Sequence, residues 1–389
     1  MRDNLERPMP RSLGHVLVDA ELRELARGGA IRAATPLARE SFQPASLDLR
    51  LSGRALRIRA GFLPERTPLS ERLAELATSE LSLDGRGAVL ERGLIYLVEL
   101  EEEFALPRDV HARFNPRSST GRCDLFTRVL VEGHPRFDEA PAGWRGKPWI
   151  EIAPLSFPVR LRRGDRLCQV RLLRGRAALS RDELEARYAR EPLCFLGRGA
   201  RQRPVPLDAL RIDAEGALEL RVGLAERDPC AWRASSGSGV VEFAKPGAHR
   251  RDDFWEPVHA KNGHCILEPG RFYILASRER LRVPPDLCAE MLPVDVGVGE
   301  LRNNYAGFFD NGFGWELEKS GKVRASGTPA VLEVRAHDFP FLVEDGQSFC
   351  RLKFFRSARR PQQVYGEGRK GARASYRGQD LTLARVFRA

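Results

Sequence analysis

No run of about 18 apolar residues occurs in the sequence, so it offers no membrane-spanning helix. The opening Met1-Arg2-Asp3-Asn4-Leu5-Glu6 lacks an apolar signal region, which predicts a cytoplasmic protein. Cysteine pairing is missing too. The seven cysteines, Cys123, Cys168, Cys194, Cys230, Cys265, Cys288 and Cys350, are odd in number and show no Cys-x-x-Cys spacing. They read as free thiols in a reducing compartment, and a zinc site built on paired cysteines is excluded with them. Lysine is scarce, at seven residues against 57 arginines, so the net charge of +11 is arginine charge. A basic surplus suits nucleic acid or a small polyanion. A GC-rich coding sequence would produce the same skew, which disfavours nucleic acid as the partner.

What is present is enough for two cores: 389 residues, 42 % of them hydrophobic. The chain also repeats itself. Leu47-Asp48-Leu49-Arg50-Leu51 matches Leu218-Glu219-Leu220-Arg221-Val222. Tyr96, Phe104, Pro107, Asp109 and Val110 match Tyr273, Leu281, Pro284, Asp286 and Leu287 at one constant offset. Glu151, Gly164, Leu167, Cys168 and Val170 match Glu333, Gly346, Phe349, Cys350 and Leu352 at another. Offsets that drift between blocks but hold within them are the mark of loop insertions between equivalent strands. The reading is two homologous halves, 1–195 and 196–389, joined through Gly197 to Pro206. Residues 94–100, 150–155, 169–173, 331–335 and 351–355 are rich in strand formers and bounded by Gly, Pro and Asp. Helical signals are few: Val18 to Arg27 with Gly28-Gly29 as stop, and Ser180 to Tyr188 with Ser180 as N-cap and Glu183 closing a capping box. The expected fold is mainly β, a sandwich or barrel of jelly-roll type in each half.

One stretch carries chemistry. Pro116-Arg117-Ser118-Ser119-Thr120-Gly121-Arg122 is followed by Phe137-Asp138, Gly143-Trp144-Arg145-Gly146, Trp149-Ile150-Glu151-Ile152 and Arg163-Gly164-Asp165-Arg166-Leu167-Cys168-Gln169. Upstream lies Gln43-Pro44-Ala45-Ser46-Leu47-Asp48-Leu49-Arg50-Leu51. In this order the pieces resemble the dCTP deaminase branch of the dUTPase-like superfamily, in a duplicated form. The resemblance implies two tandem β-clip, or distorted jelly-roll, domains with a few short helices. It implies hydrolysis of dCTP to dUTP and ammonia without zinc, with Mg²⁺ carried on the substrate triphosphate. His-x-Glu and Pro-Cys-x-x-Cys, the marks of zinc deaminases, are absent. By the same resemblance Glu151 is the general acid/base, a carboxylate that takes a proton from water and returns it to the leaving nitrogen. Ser118 and Arg122 orient the water and stabilise the adduct. Arg117 and Ser119 hold phosphate. Asp138 lines the deoxyribose, and Gln169 belongs to the substrate site.

The C-terminal Ser375-Tyr376-Arg377-Gly378-Gln379, with Tyr365 upstream, resembles the family's closing tail, Ser375 standing where a lysine is expected. It follows the second half, so serving a first-half site requires the halves to pack together. In the second half, Ala306-Gly307-Phe308-Phe309-Asp310-Asn311-Gly312-Phe313-Gly314 resembles the family hairpin more closely than the first half does. Yet Val294-Asp295-Val296-Gly297 stands at the Arg-Ser-Ser position, so a degenerate second domain is expected, with Glu333 of little consequence. His134 occupies a position near the base where a small residue is expected, and is a candidate substrate contact. Two alternatives remain: a dUTPase or bifunctional enzyme that uses Asp138 to position water, and a non-enzymatic nucleotide- or nucleic-acid-binding protein. The resemblance further implies a homo-oligomer, a trimer favoured, and a possible inhibitory role for dTTP.

Overall fold

The computed structural model describes residues 14–293, 301–303, 307–318, 320, 323–336, 338–366, 376 and 378–388. The second-half segment Val294 to Gly297, and Ser375 in the tail, lie outside them. Strands dominate, and the elements read from sequence are present. Ile95–Leu100, Trp149–Pro154, Cys168–Arg174, Thr328–Ala336 and Ser348–Arg356 are strands, and Asp19–Arg27 and Arg181–Arg190 are helices. Ser180 caps the latter as read: its hydroxyl accepts from Glu183 N at 3.3 Å, and Ser180 N donates to Glu183 Oε2 at 2.8 Å. Helix Leu69–Leu76 is an addition to the expected set.

The first half is a two-sheet sandwich. One sheet orders His15–Val16, Cys168–Arg174, Val110–Pro116 and Glu139–Ala140, with Leu47–Leu49 also pairing Cys168–Arg174. The other orders Leu125–Leu130, Trp149–Pro154, Ile95–Leu100, Leu51–Ile58 and Ala77–Ser82. The second half repeats the plan. Ala217–Arg221, Ser348–Arg356, Leu287–Leu292 and Phe308–Phe309 form one sheet. Phe272–Leu281 and Thr328–Ala336 lie at the centre of the other. The duplication reaches single bonds. Tyr96 Oη accepts from Glu91 N at 3.0 Å, and Tyr273 Oη from Glu268 N at 2.9 Å. Arg50 grips Glu102 through Nε at 2.7 Å, and Arg221 grips Glu279 through Nε at 2.6 Å.

The strand period of two explains how the halves meet. In Val110–Pro116, Val110, Ala112 and Phe114 fill the first core, while Arg113 pairs with Glu290 at 3.1 Å and Asn115 Oδ1 accepts from Gly307 N at 2.5 Å. In Cys168–Arg174, Val170 and Leu172 point inward, and Arg171 crosses to the second half. Fully buried, it donates to Ala289 O at 3.0 Å and to Phe309 O at 3.4 Å, pairs with Asp310 at 3.3 Å, and packs on the Phe308 ring. The cores interlock: Trp232, Trp255, Val331 and Val386 join the first, whereas Leu184, Tyr188 and Leu193 join the second. The helix Arg181–Arg190 therefore packs with the second core, although it precedes the expected boundary at 195/196.

Candidate functional site

The signature sits where a strand ends and a single helical turn begins. Val110–Pro116 leads into Ser118–Gly121, with Arg117 at the N-cap position. The turn is pinned from one side: Arg117 N and Thr120 Oγ1 both donate to Leu167 O at 2.8 Å. This fixes Ser118, Ser119 and Arg122 along one wall of a cleft. Arg117, Gln43, Asp48 and Gln169 extend that wall. Arg117 Nε lies 3.2 Å from buried Asp48, which also accepts from Gln43 Nε2 at 3.2 Å.

The opposite wall comes from the second half: Phe308, Phe309, Asp310 and Phe313 from the hairpin, and Val331 and Glu333 from Thr328–Ala336. Register again gives the reason. Ala330, Leu332 and Val334 fill the second core, so Val331, Glu333 and Arg335 face the first half. Val331 joins the first core, and Arg335 pairs with buried Asp124. Glu333, only 2 % exposed, presses its carboxylate against Gly121 so closely that a Cβ there would clash. Burial, with Glu333 nearby, pushes the Cys123 thiol up, so that sulfur is no nucleophile. Asp310 is buried between Arg171 and Ser46 Oγ, 3.5 Å away, and burial raises its carboxyl above the usual range.

The tail closes the third side. Tyr376 Oη and Ser119 Oγ are 2.7 Å apart, and the Tyr376 ring lies 3.7 Å from the Arg122 guanidinium carbon. Arg122 also donates to Gln379 Oε1 at 2.6 Å and Thr382 O at 2.8 Å. Among the described residues its Nε is buried without a hydrogen-bond partner. Tyr365 lines the cleft beside Phe313, and Arg385 completes the rim. The cleft and its open mouth together leave about 880 Å³ unfilled by atoms.

Arg117, Ser118, Ser119, Arg122, Gln169, Tyr365, Tyr376 and Gln379 are thus brought together. Three expected site residues are not among the lining residues. Glu151 lies on the outer face of its strand because Ile150 and Ile152 take the core. There it meets Arg128 at 2.6 Å, under Gly61. Asp138, in the left-handed region at φ 61°, accepts from Val129 N at 2.8 Å, and burial pushes its carboxyl up to about 7. His134 follows Gly133 in the loop after Leu125–Leu130 and hydrogen-bonds back to Val131 O. In their place the second half supplies Glu333 and Asp310. The hairpin Ala306 to Gly314, closer to the family pattern than its first-half counterpart, was the signal for them. Arg385 had no motif to mark it.

Residues 14–176 match the family profile described as the 2'-deoxycytidine 5'-triphosphate deaminase (DCD) N-terminal domain, and residues 199–387 match the C-terminal domain. A dCTP deaminase of Acidianus ambivalens is 28 % identical over 163 residues, 39 % of this chain and 79 % of that protein. A dUMP-forming dCTP deaminase of Coprothermobacter proteolyticus is 30 % identical over 157 residues, 40 % of this chain and 80 % of that one. The crystal structure of a 2'-deoxycytidine 5'-triphosphate deaminase from Agrobacterium tumefaciens covers 90 % of this chain and 100 % of its own, at 38 % identity and a TM-score of 0.79.

Proposed function

Because the chain belongs to the 2'-deoxycytidine 5'-triphosphate deaminase family, we propose that it hydrolyses dCTP to dUTP and ammonia in the cleft between its halves. The observation that carries this is the meeting of Ser118 and Arg122 from one half with Glu333 from the other. The Glu333 carboxylate takes a proton from water as the oxygen attacks the cytosine carbon bearing the amino group. That proton passes to the ring nitrogen N3, which takes up the electrons of the opened C=N bond. The hydroxyl proton of the adduct then moves through Glu333 to the amino nitrogen, so that ammonia leaves as the C–N bond breaks and the ring carbonyl forms. Arg122 and Ser118 stabilise the charge that develops on the tetrahedral adduct. Phosphate oxygens of the Mg²⁺–triphosphate substrate face Arg117 and Ser119. Asp310 and Gln169 border the sugar.

In this reading the site is completed within one chain, across its two halves. The signature of the first half uses the carboxylate of the second. Glu151 is left facing Arg128, with no Arg-Ser-Ser sequence in the second half to meet it. Trimer formation and inhibition by dTTP belong to the same proposal, and are checked by particle mass in solution and by dTTP titration.

A second reading, onward hydrolysis to dUMP, is favoured by Asp310 lining the same cleft. Against it, one carboxylate oxygen faces Arg171 and the other Ser46, which commits the group to structure. Incubation with Mg²⁺ and dCTP, then with dUTP, separates the two. Ammonia with accumulating dUTP supports deamination alone. Pyrophosphate and dUMP support the bifunctional reading, and no product from either nucleotide overturns both.

A further inference from the structure

Gln379 touches both halves at once. It accepts at Oε1 from Arg122 Nη2 at 2.6 Å and donates through Nε2 to Pro329 O at 3.0 Å. One amide thus ties the signature arginine to Thr328–Ala336, the strand that carries Glu333. The next residue, Asp380, is the only acid after Glu367 in the sequence, and it is not among the residues lining the cleft. Its carboxylate meets three arginines instead. Oδ1 accepts from Arg227 Nε at 2.7 Å, while Oδ2 pairs with Arg198 and lies 3.7 Å from Arg280 Nη2. Arg227 is buried, and its other two nitrogens donate to Gly223 O at 3.0 Å and Ser277 O at 3.2 Å. Second-half backbone therefore fixes the plane of this guanidinium, and the charge-assisted bond carries that constraint to Asp380. Burial works against ionisation of Asp380, yet Arg198 and Arg227 hold its carboxyl below the usual range.

We propose that Asp380 is a positioning residue for the reaction: anchored by Arg227, Arg280 and Arg198, it sets Gln379, and through Gln379 the Arg122 guanidinium, relative to Glu333. The inference rests on the proposed deaminase reading. An unanchored glutamine samples several rotamers, and fixing the backbone one residue on removes much of that freedom. Arg122 stabilises charge that develops only in the adduct, so misplacing it is felt in turnover rather than in nucleotide binding. The arginine cluster acts from outside the cleft, through geometry alone.

The test is kinetic and uses the full chain with dCTP. Asp380→Asn keeps the shape of the side chain and removes its charge. Its kcat should fall roughly 10- to 100-fold, with KM for dCTP within about threefold of the parent. Asp380→Glu keeps the charge and should recover part of the rate. Arg198→Met removes a half-exposed member of the cluster and leaves Arg227 on Asp380. It should fold normally and lose part of kcat in the same way. In a Gln379→Ala background, Asp380→Asn should cost no more than about a further twofold, because both changes break one linkage. A kcat for Asp380→Asn within about twofold of the parent, a loss carried by KM alone, or an undiminished effect in Gln379→Ala overturns the proposal. Hydrogen exchange reads the anchoring without chemistry. Asp380→Asn should speed exchange in a peptide spanning residues 378–388 and leave the sheet strands unchanged. If the parent releases no ammonia but this exchange responds, the anchoring stands and the deaminase reading falls. If the exchange is unchanged, the anchoring falls.

Discussion

Among single residues, the proposed chemistry turns on the contrast between two glutamates. Glu333 and Glu151 occupy equivalent strands and are equally buried. One presses on the signature turn and the other on Arg128. Their neighbours in sequence are nearly interchangeable, Ile-Glu-Ile against Leu-Glu-Val, so no local pattern tells them apart. The residues of the signature and the tail were legible because each sits in a contiguous motif. The identity of the carboxylate facing them was not, since it depends on which strand face the other half covers. Asp138 illustrates the cost of an acid without a site. Its folded pKa of about 7 lies above the ordinary value of 3.8, so the fold prefers the protonated form. That contribution is present below about pH 4 and is lost as pH rises to 7. Asp138→Asn should therefore gain stability over the parent as pH rises from 4 to 7, by up to about 4 kcal/mol at neutrality, read as a rising difference in melting temperature. A difference that does not change with pH in paired melting curves would remove this assignment.

Elements show where contact, rather than propensity, sets function. The turn Ser118–Gly121 needs glycine at its end because the Glu333 carboxylate occupies the space a Cβ would fill. In Gly121→Ala the carboxylate, the far end of a side chain, moves aside. Stability should hardly change, while kcat falls about 100-fold, since small misplacements at a reacting centre cost that much. A kcat within threefold of the parent would show that Glu333 is not held by this contact. The tail gives a milder test. Tyr376→Phe removes one hydrogen bond to Ser119 but keeps the ring on Arg122. It should raise KM for dCTP roughly two- to tenfold; an unchanged KM would make that bond idle. Most strands and two of the longer helices could be read from periodicity and capping. Helix Leu69–Leu76 also carried its signal, leucines at 69, 73 and 76 behind Pro68. The terminal segment at Arg385 lacked any repeat or motif.

Across the whole molecule, the proposed site draws on both copies of a duplicated sandwich. Repeated bonds at Tyr96 and Tyr273, and at Arg50 and Arg221, preserve two copies of one sandwich. The join between them mixes apolar contacts, with Trp232, Trp255 and Val331 entering the first core, and polar ones, of which buried Arg171 makes several. Arg171→Met would leave Asp310 buried without its cation, so unfolding in denaturant should show a loss of about 3–5 kcal/mol; a loss under 1 kcal/mol would mean the halves are held elsewhere. The repeat was visible in the sequence, but which carboxylate would face the signature was not, because offsets along a chain do not say which faces of two similar sheets will touch. The direct test of the account is ammonia release from dCTP by Glu333→Gln and Glu151→Gln, assayed side by side with the parent and with nucleotide binding measured in each. The account predicts at least about a 10³-fold loss in Glu333→Gln with binding retained, and a rate within severalfold of the parent in Glu151→Gln. A collapse in Glu151→Gln with Glu333→Gln active would contradict it.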